Sequence, residues 1–291
     1  MSKEKAKWSN KKKAIVITLA IVIFLIIAIL TGGLIYLHEY CKPKTYQVVS
    51  LAEANESNVT LIAHRGFTAV APENTAPAFE EAGKAGFDGA ECDIYRTKDG
   101  VWVISHDSHT YRMMDKSSFI EKITYDELMS YTYDNGSNID KYSNLKVCTL
   151  EEYLNICKEY SMTPVIELKG KNNTEHYDEV VNTVKETGME DNVVFISFHL
   201  ENLQKLRELS DATLYYLVQK IEDKDIEDAL SLGGKCGIDF NGNKEENTSE
   251  VIQKCFDKGL LMGAWTIDTE DALNRMINNG VTLITTNTIS H

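Results

Sequence analysis

From Val59 to the end of the chain, apolar runs alternate with amphipathic segments. The runs fall at 60–63, 89–94, 164–168, 192–198, 213–218, 237–240, 260–267 and 282–286. Between them, segments such as 75–85, 150–160, 176–187, 201–209, 223–230, 249–258 and 270–279 carry the spacing of helices with one apolar face. Thr248 or Ser249 can cap one start, and Gly86, Gly188, Gly259 and Gly280 follow the ends of others. Alternating strand and helix signals predict a parallel sheet with helical crossovers. Eight such units predict a (β/α)8 TIM barrel over residues 59–291. A ninth run, 101–105, reads as the antiparallel return arm of a hairpin after the second strand. Residues 108–149 are rich in Tyr, Asp, Asn and Ser with weak periodicity, and read as an insertion at the barrel mouth.

The beginning of the chain follows another rule. Residues 14–37 carry no charge. As a helix at 1.5 Å per residue they would span about 36 Å, enough for a bilayer core of roughly 30 Å. No small-x-small site follows before Cys41, and Leu37-His38-Glu39-Tyr40 lacks the small residues of a lipoprotein signal. The segment is therefore expected to be a transmembrane anchor. A basic tail (1–13) precedes it and a polar stalk (38–58) follows. Lys3, Lys5, Lys7, Lys11, Lys12 and Lys13 lie before the span, with Lys42 and Lys44 just after it. That bias puts the N-terminus in the cytoplasm and the barrel outside, on a single-pass cell-membrane protein.

Charge narrows the partners. The net charge is −14, and the first forty residues carry +4 from six lysines and two glutamates, which leaves −18 for the remainder. So acidic a domain is not expected to hold nucleic acid through a general field. Any phosphate must be gripped locally, by a metal or by one or two placed cations. The six cysteines (41, 92, 148, 157, 236, 255) show neither a Cys-x-x-Cys nor a small-scaffold spacing, so zinc ligation is not expected and no bridge is assigned. Nothing in the sequence sets an oligomeric state.

Candidate chemistry concentrates between His64 and Asp107. Glu91 and Asp93 are two apart, so on a strand they share a face. Asp99-Gly100 between apolar runs signals a hairpin. With Lys98-Asp99 central in a two-residue turn, residue 106 would lie opposite 91; with Asp99-Gly100 central, opposite 93. Either register puts His106 beside the acid pair. His64-Arg65 ends the first strand and Glu167-x-Lys169 the third, at the barrel end where function gathers. Glu91, Asp93 and Glu167 form a hard-oxygen set suited to Ca²⁺ or Mg²⁺. Arg65 offers a fork of donors to phosphate oxygens and Lys169 a point charge, although both could instead pair with the acids. His64 and His106 are the natural acid and base. His109, His176, His199 and His291 lie outside the constellation.

The run His64-Arg65-Gly66, Pro72-Glu73-Asn74-Thr75, Glu91-x-Asp93, Thr97-Lys98-Asp99-Gly100, His106-Asp107 resembles the glycerophosphodiester phosphodiesterase family. Agreement continues with Glu167-Leu168-Lys169, Ser197-Phe198 and Trp265-Thr266-Ile267, over about 60–287. The resemblance implies a (β/α)8 barrel and a divalent cation on Glu91, Asp93 and Glu167. It also implies acid–base roles for His64 and His106, and an apolar wall of Phe198 and Trp265 near a glycerol group. Two positions depart from the family pattern: Asn287 stands where aspartate is common, and Asp268 where asparagine is frequent. The expected reaction is hydrolysis of small-molecule or lipid-headgroup glycerophosphodiesters to glycerol phosphate and an alcohol. Lysophospholipids, glycerol-phosphate polymers, cyclic-phosphate release and a catalytically silent surface-binding barrel are the alternatives.

Overall fold

The computed structural model describes residues 10–51, 59–171 and 173–291. Most of the basic tail (1–9) and the end of the stalk (52–58) lie outside the described residues. A helix runs Asn10–Cys41, and its Ile15–Cys41 stretch is long and apolar enough to cross a membrane. The chain divides into two compact units, residues 1–42 and 43–291.

The second unit is a closed barrel. Its parallel strands are β2 (Thr60–Ala63), β3 (Gly89–Arg96), β5 (Thr163–Leu168), β6 (Val194–Ser197), β7 (Thr213–Val218), β8 (Cys236–Asn241), β9 (Leu261–Trp265) and β10 (Leu283–Thr286), and the ring closes through β2–β3 pairing. All eight expected strands form. Strand geometry sends successive side chains to opposite faces. Ile62, Val165, Ile196, Tyr215 and Leu217 therefore pack together in the barrel interior. Their neighbours Leu61, Ala63, Cys92, Ile166, Phe195, Leu214 and Phe240 face the helices in the larger core. Two short strands, β1 (Val49–Ser50) and β11 (Ile289–Ser290), pair in parallel, and Leu51 N donates to Ser290 O at 2.9 Å. The polar stretch after the apolar helix thus includes a segment stitched to the end of the barrel chain.

The hairpin differs from expectation. Strand β4 (Trp102–Ile104) pairs Ile94↔Ile104, Tyr95↔Val103 and Arg96↔Trp102. Gly100 N donates to Thr97 O (3.1 Å) and Thr97 N to Val101 O (2.9 Å), with Gly100 at φ +98°. This is a type I turn on Lys98-Asp99 followed by a glycine that adds one residue to the loop. The added residue shifts the register by one, so 106 would fall level with Cys92 rather than Glu91 or Asp93. Continued pairing would have turned His106 towards the helices. Instead β4 stops at Ile104, Ser105 Oγ donates to Asp107 O (2.9 Å), and the departing chain carries His106 to the cavity rim.

Residues 108–149 form short 3₁₀ turns and a helix, Tyr125–Met129, over a small core of their own that includes Met114, Ile120, Leu128 and Tyr133.

Candidate active site

Inward positions at the C-terminal strand ends line a cavity of about 320 Å³. His64 follows β2, Glu91 lies on β3, Glu167 on β5 with Lys169 just beyond, and Phe198 follows β6. Asp239 on β8, Trp265 on β9, and Thr285 and Asn287 at the end of β10 complete the ring. Asp93, on the same face of β3 as Glu91, is buried next to Glu91 and Glu167. The constellation expected from sequence is therefore assembled at one place, with Arg65 and His106 also in the wall.

The turn after β2 is shaped by backbone sterics. Arg65 (φ +58°) and Gly66 (φ +75°) are both left-handed. A Cβ on Gly66 would sit 2.6 Å from the carbonyl carbon of Ala78, so only glycine fits. The turn aims Arg65 N at Glu91 Oε2 (2.9 Å). Arg65 Nη1 reaches Glu73 (2.8 Å), and its buried Nε lies 3.4 Å from Asp93 Oδ2 without forming a hydrogen bond. Arg112, from the insertion, clamps Glu73 (2.6 Å) and Asp107 (2.6 Å). Burial opposes ionisation of Glu73, but Arg65 and Arg112 outweigh it and hold its carboxyl at about 2.

Glu91, Asp93 and Glu167 present oxygen atoms that all lie within 4.8 Å of one another. Burial and the charge of Asp93 push Glu167 up to about 8 and Glu91 well above the usual carboxylate range. Asp93 goes the other way: Lys169 and Arg65 overcome its burial and keep it ionised. Lys169 Nζ lies 2.8 Å from Glu167 and 3.3 Å from Asp93, so both cations pair with the acids. Asp93 Oδ1, the oxygen that faces Lys169, is nonetheless buried without a hydrogen bond among the described residues. Three buried carboxylates against two cations, with one oxygen that makes no hydrogen bond, fit an oxygen-seeking divalent cation.

The two histidines have different partners. His64 Nδ1 lies 2.8 Å from Asn287 Oδ1. Burial and the Arg65 charge pull the His64 imidazolium down to about 3, so the ring is neutral at pH 7. His106 Nδ1 lies 2.9 Å from Asp107 Oδ1. Across the cavity Phe198 and Trp265 meet edge to face at 5.5 Å, and Phe198 is exposed to the cavity rather than packed in the core.

Several residues carry roles that the sequence did not assign. Asn74 binds Asp93, Arg112 came from an aperiodic insertion, and Asp239 lies buried with Oδ1 making no hydrogen bond among the described residues. Lys44 and Tyr46 line the cavity from the polar stretch taken for a stalk. Burial and Glu73 push the Tyr46 hydroxyl up to about 12, so it remains a donor. The two departures at 268 and 287 turn out to be bonded to each other, with Asn287 Nδ2 donating to Asp268 at 2.7 Å.

The sequence profile described as "Glycerophosphoryl diester phosphodiesterase family" matches residues 64–291. A glycerophosphodiester phosphodiesterase of Caldanaerobacter subterraneus is 28% identical over 229 residues, covering 76% of this chain and 90% of that one. Among solved structures, an Oleispira antarctica phosphodiesterase in complex with sn-glycerol-3-phosphate aligns with TM-score 0.71 and 26% identity, over 82% of this chain and 96% of that one. A glycerophosphodiester phosphodiesterase from Parabacteroides distasonis aligns with TM-score 0.67 and 26% identity, over 79% and 93%. By its profile, its barrel and its site, this chain belongs to the glycerophosphoryl diester phosphodiesterase family and is a phosphoric diester hydrolase.

Proposed function

We propose that the chain hydrolyses glycerophosphodiesters to glycerol phosphate and an alcohol by a two-histidine, divalent-cation-assisted mechanism. The supporting observation is the convergence of His64, His106, Arg65, Lys169 and three close carboxylates around one cavity. Glu91, Asp93 and Glu167 would hold Ca²⁺ or Mg²⁺, whose charge, when bound, offsets the negative charge building on the phosphoryl oxygens. Arg65 and Lys169 bind and orient those oxygens from the same rim. Neutral His64 removes the proton of the nucleophile, either water or the neighbouring glycerol hydroxyl. His106 protonates the departing alkoxide. Phe198 and Trp265 hold the glycerol carbons against an apolar wall.

The apolar helix anchors the chain in the cell membrane, N-terminus inside, and the barrel meets its substrate at the outer face. Lipid-derived headgroup diesters fit that setting. Glycerophosphocholine turnover by the full chain in detergent tests the chemistry. His64→Ala and His106→Ala should each lower turnover by on the order of 10²–10⁴-fold. Near-normal turnover in either variant, or full activity in excess EDTA, would remove that histidine or the cation from the mechanism. Protease digestion of intact cells that spares the barrel would reverse the orientation.

A further inference from the structure

Behind His64, the loops that follow β9 and β10 meet in a closed hydrogen-bond cluster. Asp268 Oδ1 accepts from Asn287 N (2.7 Å) and Thr286 Oγ1 (3.2 Å), and Oδ2 accepts from Asn287 Nδ2 (2.7 Å). Thr288 Oγ1 adds a bond to the Asp268 carbonyl at 2.9 Å. The backbone N–H of Asn287 can only donate, and so can its amide nitrogen. Turning the Asn287 amide over would set its oxygen against a carboxylate oxygen at 2.7 Å, two acceptors in contact. The amide is therefore oriented by Asp268, with Oδ1 towards His64 Nδ1. An amide oxygen only accepts, so Nδ1 carries the hydrogen, and the lone pair of the neutral ring is on Nε2. Arg65, Glu73 and Asp93 are the charged groups around the ring. None of them is hydrogen-bonded to it among the described residues.

We propose that Asp268 and Asn287 are a positioning pair that locks His64 in the Nδ1–H tautomer, so that Nε2 is the atom that accepts the nucleophile's proton. This rests on the reading of His64 as the base. In that step the O–H bond of the nucleophile breaks, its electron pair forms the new O–P bond, and the proton passes to Nε2. The bond between phosphorus and the leaving oxygen breaks, with its electron pair leaving on the alcohol. A flipped Asn287 amide would move the ring hydrogen to Nε2 and leave no lone pair facing the reaction.

The test uses the full chain in detergent micelles with ¹⁵N-histidine labelling, read by long-range ¹H–¹⁵N NMR at pH 7. His64 is assigned by the signal lost in His64→Gln. The wild type should show the Nδ1–H pattern. Asp268→Asn frees the amide to turn over, and should give mixed tautomers with kcat down about tenfold or more and KM little changed. The exchange D268N/N287D restores one carboxylate and one amide, and should recover both the single tautomer and most of kcat. An Nε2–H wild type, or a tautomer unmoved by Asp268→Asn, overturns the positioning pair. A tautomer that shifts while kcat holds would instead show that His64 is not the base. Should Asp268→Asn fail to fold, the wild-type spectrum and the exchange variant decide the question.

Discussion

Asn74 and Asp93 are bonded to each other twice: Asn74 Nδ2 donates to Asp93 Oδ2 at 2.7 Å, and Asp93 N donates to Asn74 Oδ1 at 3.3 Å. The pair fixes the orientation of the most deeply held carboxylate in the acidic set, and Asn74 supports it from a left-handed backbone (φ +56°). Asn74→Gly keeps that backbone and deletes the side chain. Cation affinity should fall about 10–100-fold, the usual cost of losing an outer-shell partner. Isothermal titration with Ca²⁺ and Mg²⁺ reads this directly, and unchanged affinity would deny Asp93 a role as ligand.

Gly66→Ala forces a Cβ to 2.6 Å from the Ala78 backbone at a φ of +75°. Left-handed strain and overpacking together should cost about 2–4 kcal/mol. The loss of melting temperature should come with a loss of turnover, because the same turn aims Arg65 at Glu91. A stable, active Gly66→Ala enzyme would contradict this account of the motif.

Stability without a cation should fall as pH rises. Unfolded, Glu167 releases its proton near 4.5; folded, it keeps it to about 8, and Glu91 is shifted in the same direction. Between those values the folded state binds more protons than the unfolded, so unfolding free energy decreases as pH rises through that interval. Glu73, held at about 2, works in the opposite sense only as pH drops below its unfolded value of 4.5, and His64, held at about 3, opposes the trend up to its unfolded value of 6.5. Buried Asp239, raised to about 8, adds to the Glu167 and Glu91 side, which outweighs the single imidazole. In chelator, the melting temperature should drop by roughly 5 °C or more between pH 5.5 and 8. Added Ca²⁺ or Mg²⁺ should restore more at pH 8 than at 5.5, because binding displaces those protons. A flat profile in chelator would contradict the buried, proton-sharing acid set.

Tyr46 lines the cavity, and its hydroxyl stays protonated. Tyr46→Ala should raise KM for glycerophosphocholine by roughly fivefold, about one hydrogen bond's worth, with kcat nearly unchanged. Lowered kcat at constant KM would place Tyr46 in the chemistry instead. Truncated proteins meant to be soluble should therefore begin before Pro43.

Much of this was legible because strand parity is a strict rule. Glu91, Asp93 and Glu167 converge as their spacing and strand order require, and His64 and Trp265 obey the same alternation. The register of His106 was not legible: a turn on Lys98-Asp99 reads alike whether it closes in two residues or carries the extra Gly100. Asp268 and Asn287 each looked like an isolated departure, because a sequence separation of 19 hides a contact that the neighbouring β9 and β10 create. Arg112 was invisible for another reason. Its segment follows no period, and its position is set jointly by the nearby Asp107 and by Glu73, which is distant in sequence.

The parallel pairing of Val49–Ser50 with Ile289–Ser290 also decides how force enters the molecule. Tension drawn along the chain from the apolar helix reaches the Val49 N–Thr288 O bond before it can reach Thr60. The barrel's first strand, and His64 at its end, are mechanically shielded by that small clamp. Lys44 and Tyr46 lie on the loaded side of it, so a pull on the apolar helix is felt first at the rim of the cavity.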